Sequence, residues 1–241
     1  MALRAQPPGQ ILMIKQPSRT FRCPAASRAT RIPSARSKAS SRGTITAQLP
    51  ADDHPRKFWF ESKLEQRVFF LLAARPDTSD IQEQPPAITY TDKHGRARNH
   101  HFDFLLTQRT GLRLAIAVKS AGIVERRGFR EELQLIRAAT PLSFAKEVVL
   151  VTDRSFSRAE ALNAERLHEF RRVPDPDADA AIAALLADLT TETTIASLVE
   201  ASRLEGRGFR AAFRAIYAGL ARPLAAGVIQ PSTLISAGVA Q

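Results

Sequence analysis

The sequence predicts an α/β layer fold, a mixed sheet flanked by helices, followed by a small helical module of helix-turn-helix type. Three observations lead there. Between residues 42 and 173, short β-type runs alternate with helix-period stretches. Residues 114–118, L-A-I-A-V, are continuously apolar, as in a strand covered on both faces. After Pro174 the extended pattern gives way to three helical stretches.

Each element follows from its residues. Residues 1–41 are rich in Pro, Ser, Arg and Ala without periodicity, and are expected to form a disordered arm. Residues 42–48 and 57–60 carry β-type residues and are expected to pair as a hairpin, with its turn at 50–55. A helix is expected over 62–75, where Leu64, Val68, Leu71 and Leu72 recur at helical spacing and Pro76 stops the chain. Residues 87–91 read as a strand and 92–95 as a turn. Two strands, 98–107 and 112–119, are joined at 108–111. A helix over 124–139 precedes Pro141, a strand covers 147–152, and a helix over 157–171 takes Ser155 or Ser157 as its cap. The Pro174-Asp-Pro176-Asp stretch reads as a linker. Helices are expected over 178–189, 194–201 and 207–220, the last two joined by a tight turn at Leu204-Glu205-Gly206. Residues 228–235 offer a short wing strand. Three segments result: an arm (1–41), an α/β domain (42–173) and a helical domain (174–241).

Charge is distributed unevenly over the 241 residues. The net charge is +11, yet residues 1–50 hold nine Lys or Arg and no acid, while the rest holds 26 basic and 24 acidic side chains. A basic arm on a nearly neutral body suits a polyanion, above all nucleic acid, because phosphate contacts release counterions without reading sequence. A solvated tail or an organelle transit peptide shares this composition. The single cysteine, Cys23, excludes an internal disulfide and a cysteine-based zinc site, and fits a reducing, cytoplasmic setting. No apolar run approaches the ~18 residues of a membrane span, so no membrane partner is expected.

The chemistry-bearing residues lie between 61 and 119. Asp103 and Lys119 are 16 positions apart on strands expected to be antiparallel neighbours, which brings a carboxylate and an ammonium to one sheet edge. Glu65 sits on the preceding helix. The stretch Ser62-Lys-Leu-Glu65 is also a capping box, so Glu65 has a structural reading beside the chemical one. A divalent ion held by carboxylates polarises a phosphoryl oxygen and lowers the pKa of its water, and a lysine orients that water or offsets phosphate charge. His101 is expected to share the face of Asp103, with His100 on the opposite face. Ala117 stands two positions before the lysine, where a further oxygen ligand would serve. Gln82, Glu83 and Gln84 are the nearest replacements, with Gln84 and Gln82 on one face. A structural salt bridge is the plainer reading of Asp103 and Lys119.

These motifs, E-S-K-L-E on a helix, Q-E-Q-P at 82–85, H-F-D-F at 101–104 and I-A-V-K at 116–119, resemble the N-terminal domain of TnsA-type transposon endonucleases. That family belongs to the PD-(D/E)xK, restriction-endonuclease-like nucleases, and the likeness covers about residues 40–155. It implies a restriction-endonuclease-like core and Mg²⁺- or Mn²⁺-dependent cleavage of duplex DNA at transposon ends. An integrase-type transposase subunit and an ATPase regulator would be its partners, on the bacterial nucleoid. Carried over, Glu65 and Asp103 are metal-associated and catalytic, Lys119 is the catalytic lysine, and His101 and Gln84 are auxiliary candidates. The chain departs from the pattern at Phe102, where a proline often stands, and at Ala117, where a ligating Glu or Gln is expected.

In the last helical stretch Phe209, Phe213 and Ile216 form an apolar stripe, while Arg207, Arg210 and Arg214 follow another face. Arginines on the second helix of a helix-turn-helix suit DNA contact. A solvated basic face or a protein-partner surface has the same pattern. A catalytically silent DNA-binding or assembly subunit is therefore the competing reading, with Ala117 as its support.

Overall fold

The computed structural model describes residues 23–31 and 42–238. In chain order, β1 (Gly43–Ala47) and β2 (Arg56–Phe60) form an antiparallel hairpin. Helix α1 (Lys63–Ala74) follows, with Ser62 as N-cap accepting from the Glu65 amide. Then come β3 (Thr78–Glu83), a hairpin of β4 (Ile88–Thr91) and β5 (Ala97–His100), and β6 (Phe104–Gln108) with β7 (Arg113–Val118). Helices α2 (Ala121–Arg127) and α3 (Phe129–Ala139), β8 (Glu147–Val151) and α4 (Arg158–Arg171) complete the α/β part. The chain continues with α5 (Pro176–Ala187), β9 (Thr193–Thr194), α6 (Ile195–Ser202), α7 (Glu205–Tyr217), β10 (Ala221–Pro223) and β11 (Leu234–Ala237).

The central sheet has the order β3-β6-β7-β8, antiparallel except for the parallel β7–β8 pair, and is therefore mixed. Alternation along β7 sends Ile116 and Val118 toward the α1/α4 side and Ala115 and Ala117 toward α3. On the first side Phe58, Phe60, Phe69 and Phe104 pack ring to ring. On the second, Phe129, Leu133 and Ile136 of α3 cover Leu105, Ala115 and Val148. Both faces of the sheet are thus closed by helices.

The core of the α1/α4 side runs on without interruption into the C-terminal segment. Phe170 of α4 meets Phe213 edge-on at 5.1 Å between ring centroids, and Ala178, Ile182, Leu198 and Ile235 belong to the same apolar cluster. Asn163 and Arg166 of α4 hydrogen-bond the backbone of Gly227 and Ile229. A three-stranded sheet, ordered β10-β11-β9, closes the far side. No helix among the described residues is long and apolar enough to cross a membrane.

Several expectations need correction. The stretch 98–107 is two strands in different sheets, separated at residues 101–103. The polar stretch Thr78–Glu83 was not anticipated as a strand, yet it edges the central sheet. The helix expected over 124–139 breaks at Gly128, whose φ of 59° is left-handed backbone that glycine adopts without strain. The module after Pro174 is not purely helical, since β9, β10 and β11 form its sheet; the strand expected over 228–235 is Leu234–Ala237. Asp175 and Pro176 are no linker but the N-cap and first residue of α5. The arm expected to be disordered is docked over residues 23–31: the Ala25 amide donates to Pro55 (2.9 Å) and the Lys57 amide to Ala25 (3.0 Å). The rest of that arm lies outside the described residues.

Candidate catalytic site

Asp103 falls in the bend just before β6. Its amide donates to the Ile116 carbonyl (2.9 Å), and its Oδ2 accepts from the Val118 amide (2.6 Å). The carboxylate therefore straddles Ala117 on the neighbouring strand. Its backbone carbonyl accepts from the Gln84 amide (2.9 Å), which fixes the end of β3 beside it. Burial pushes the Asp103 carboxyl up to about 7, and the nearby Glu65 charge adds to this. The Val118 amide, Lys119 and Arg31 act in the opposite direction.

Glu65, 7% exposed, reaches back along the first turn of α1. Its Oε2 accepts from the Glu61 amide (2.8 Å) and its Oε1 from the Ser62 hydroxyl (2.8 Å). The Ser62 hydroxyl in turn accepts from the Glu65 amide (3.1 Å). The capping role read from the sequence is thus realised, with Glu61 in place of Ser62 as the amide donor. Glu65 also stands close enough to Asp103 to raise its proton affinity. Burial raises the Glu65 pKa above its ordinary value, and those two hydrogen bonds only partly offset it.

Lys119 follows β7, its amide bonded to the Val151 carbonyl (3.1 Å). Its ammonium lies 4.7 Å from the centroid of the Phe129 ring, a cation–π contact, and favours the ionised form of Asp103. The structure therefore brings together Glu65, Asp103 and Lys119 as expected.

The auxiliary candidates fare differently. His101 is exposed. The imidazole that turns inward is His100, edge-on to Phe102 at 4.7 Å between centroids and 6.0 Å from Phe129. Burial and then Lys119 pull its pKa down to about 4, so it is neutral, and its buried Nε2 has no hydrogen-bond partner among the described residues. Gln84 is buried in left-handed backbone (φ 43°), and its Oε1 accepts from Arg31 Nε (2.6 Å). Its amide oxygen is thus taken by the arm. Ala117 is fully buried among Ile88, Phe102, Leu105, Val124 and Phe129. That side of β7 is apolar and closed to solvent at Ala117.

Two features escaped the sequence reading. The first is a buried charge network: Arg56 (3% exposed) contacts Asp52 (2.9 Å), Asp80 (3.2 Å) and the fully buried Glu83 (3.1 Å). The second is the arm. Arg31 pairs with Glu61 (2.7 Å), Arg28 pairs with Asp80, and the Ser27 hydroxyl donates to Glu83. An acid-free, unpatterned arm sequence gave no sign of this, although its arginines and the acids at 61, 80 and 83 are complementary.

Of the three arginines on α7, Arg207 is bound two-handed to Asp175 (2.7 and 2.8 Å) and Arg214 to Asp179 (2.6 Å). Both are tied to α5, Arg214 largely buried and Arg207 still exposed. Arg210 lies between them in sequence, partly exposed.

Among the described residues, no three His, Cys, Asp or Glu side chains stand together closely enough to hold a metal ion. Two carboxylates nonetheless fit Mg²⁺, which takes one or two and completes its shell with water and substrate phosphate. Glu61 Oε1, buried without a hydrogen-bond partner among the described residues, is a further carboxylate oxygen near Glu65 that a cation could use. A groove of about 800 Å³ elsewhere, lined by Gln48, Leu49, Arg75, Arg109, Arg171 and Arg172, includes none of these residues.

No protein-family model matches the chain, and no curated protein matches it in a sequence search. The likeness to TnsA-type endonucleases therefore rests on the four motifs themselves.

Proposed function

We propose that the chain is a metal-dependent DNA endonuclease with a restriction-endonuclease-like core, similar to TnsA-type transposon endonucleases. The observation that carries this reading is the meeting of Glu65, Asp103 and Lys119 at one end of a mixed sheet. Asp103 and Glu65 would hold Mg²⁺ or Mn²⁺. The ion would supply polarisation of the phosphodiester and a water of lowered pKa. Lys119, steadied over Phe129, orients that water or offsets the charge that develops on phosphate.

The C-terminal module supports the DNA half of the reading. Its order of helix, strand, two helices and two strands, with β11 between β9 and β10, is that of a winged helix-turn-helix. Its α7 is the helix that enters a groove in such modules, and Arg210 has no ion pair to α5 among the described residues, unlike Arg207 and Arg214. By the same likeness, an integrase-type subunit and an ATPase regulator would be partners on duplex DNA in the bacterial cytoplasm.

One observation favours a second reading, a silent DNA-binding subunit: Ala117 offers no ligand and sits in an apolar cluster. Nicking of supercoiled plasmid with Mg²⁺ and then Mn²⁺ separates the two. A nuclease nicks, and Asp103→Ala lowers the rate by about 10³-fold or more. Salt-sensitive DNA binding that survives Asp103→Ala, with no nicking in either metal, selects the silent subunit.

A further inference from the structure

Four backbone or hydroxyl hydrogen bonds lay residues 25–30 along the body. Ala25 bonds Pro55 and Lys57, and the Gln84 carbonyl accepts both the Thr30 amide (3.0 Å) and the Thr30 hydroxyl (2.9 Å). Three side chains then enter acidic surroundings: Ser27 to Glu83, Arg28 to Asp80, and Arg31 to Glu61 and Gln84. Arg31 is one step from each candidate metal ligand. It grips Gln84, whose amide holds the Asp103 carbonyl, and Glu61, whose amide holds Glu65 Oε2. A guanidinium in that place opposes a divalent ion by charge and by occupying oxygen atoms.

We propose that residues 23–31 form an autoinhibitory strap in which Arg31 stands as an internal cation at the carboxylate pair, and that DNA phosphate is the competitor that draws the strap away. This rests on the metal-site reading above. The exchange is chemically matched: Arg28 and Arg31, each holding one carboxylate oxygen here, trade it for phosphate oxygens, which a guanidinium can bind two-handed. Release uncovers Glu61 as a further carboxylate beside Glu65. The device couples metal loading to engagement of DNA, so that the site stays charge-balanced while the protein is free of substrate.

The test uses the full chain. Mn²⁺ binding without DNA is measured by electron paramagnetic resonance for wild type, Arg31→Gln and Asp103→Asn, and in the two combined. Arg31→Gln tightens Mn²⁺ binding by about tenfold or more, and Asp103→Asn abolishes that gain. Equal binding by wild type and Arg31→Gln, lost with Asp103→Asn, overturns the strap and leaves the metal site standing. No binding by any protein, Arg31→Gln included, overturns both. A second readout, amide hydrogen exchange without metal, follows Thr30 and Lys57: duplex DNA speeds exchange at both amides, and unchanged protection with DNA bound overturns the role of phosphate.

Discussion

Asp103 and Ala117 are cross-strand neighbours with opposite surroundings. Asp103 lies among hydrogen-bond donors and charges: the Val118 amide, Lys119, Glu65 and Arg31. Ala117, bracketed by the two backbone positions that bind Asp103, is fully buried in an apolar cluster at whose edge Lys119 and His100 pack on Phe129. The difference teaches that the charged groups gather on the α1 side and at the strand ends, while position 117 offers no oxygen. If the pair holds a metal ion, the β2–α1 corner, where Glu61 lies, is the nearest source of a further carboxylate.

The largest expected effect breaks the polar half of that comparison. Arg56→Ala leaves Glu83 buried without its cation and lowers unfolding free energy by about 3–5 kcal/mol in urea denaturation. A loss below about 1 kcal/mol would mean that Glu83 is solvated. Next, Ala117→Glu places a carboxylate in the apolar half and costs about 3 kcal/mol. Wild-type stability for this variant would show that position 117 opens toward Asp103. The third expectation concerns pH. The folded pKa of Asp103, about 7, lies above its ordinary 3.8, so its contribution is fully present below pH 4 and is lost as pH rises to 7. Wild type therefore loses roughly 2–3 kcal/mol relative to Asp103→Asn between pH 4 and 8, after allowance for partial exposure. Thermal unfolding across that range checks the sign, and excess Mn²⁺ flattens the curve if the pair binds it. The smallest effect sharpens the comparison: Ser62→Ala removes a helix cap and a donor to Glu65, costing about 1 kcal/mol by denaturation midpoint.

Local chemistry was legible in the sequence where its causes are local. Helix α1 showed in the spacing of Leu64, Val68, Leu71 and Leu72 and in the cap Ser62, and α4 showed in its cap, for which Ser155 and Ser157 both offered and Ser157 serves. The turn at 108–111 fixed which ends of β6 and β7 meet, and so placed Asp103 beside Lys119. What failed depends on partners far along the chain. Strand β3 reads as polar because Glu83 is neutralised by Arg56, 27 residues earlier. The split of 98–107 follows from a bend that hands His100 to one sheet and Phe104 to another, which alternation alone does not reveal. On α7 the arginine stripe was visible, but so were Asp175 and Asp179 four residues apart; reading the two stripes together would have paired them.

The shared core of α4 and α7 has a mechanical consequence. Phe170 meets Phe209 and Phe213, and Arg214 bonds the Phe170 carbonyl (3.2 Å), so the C-terminal module is packed directly onto the part that carries Asp103. If the module grips DNA and the sheet cuts it, that packing fixes the number of base pairs between grip and cut, and the spacing is the same on every substrate.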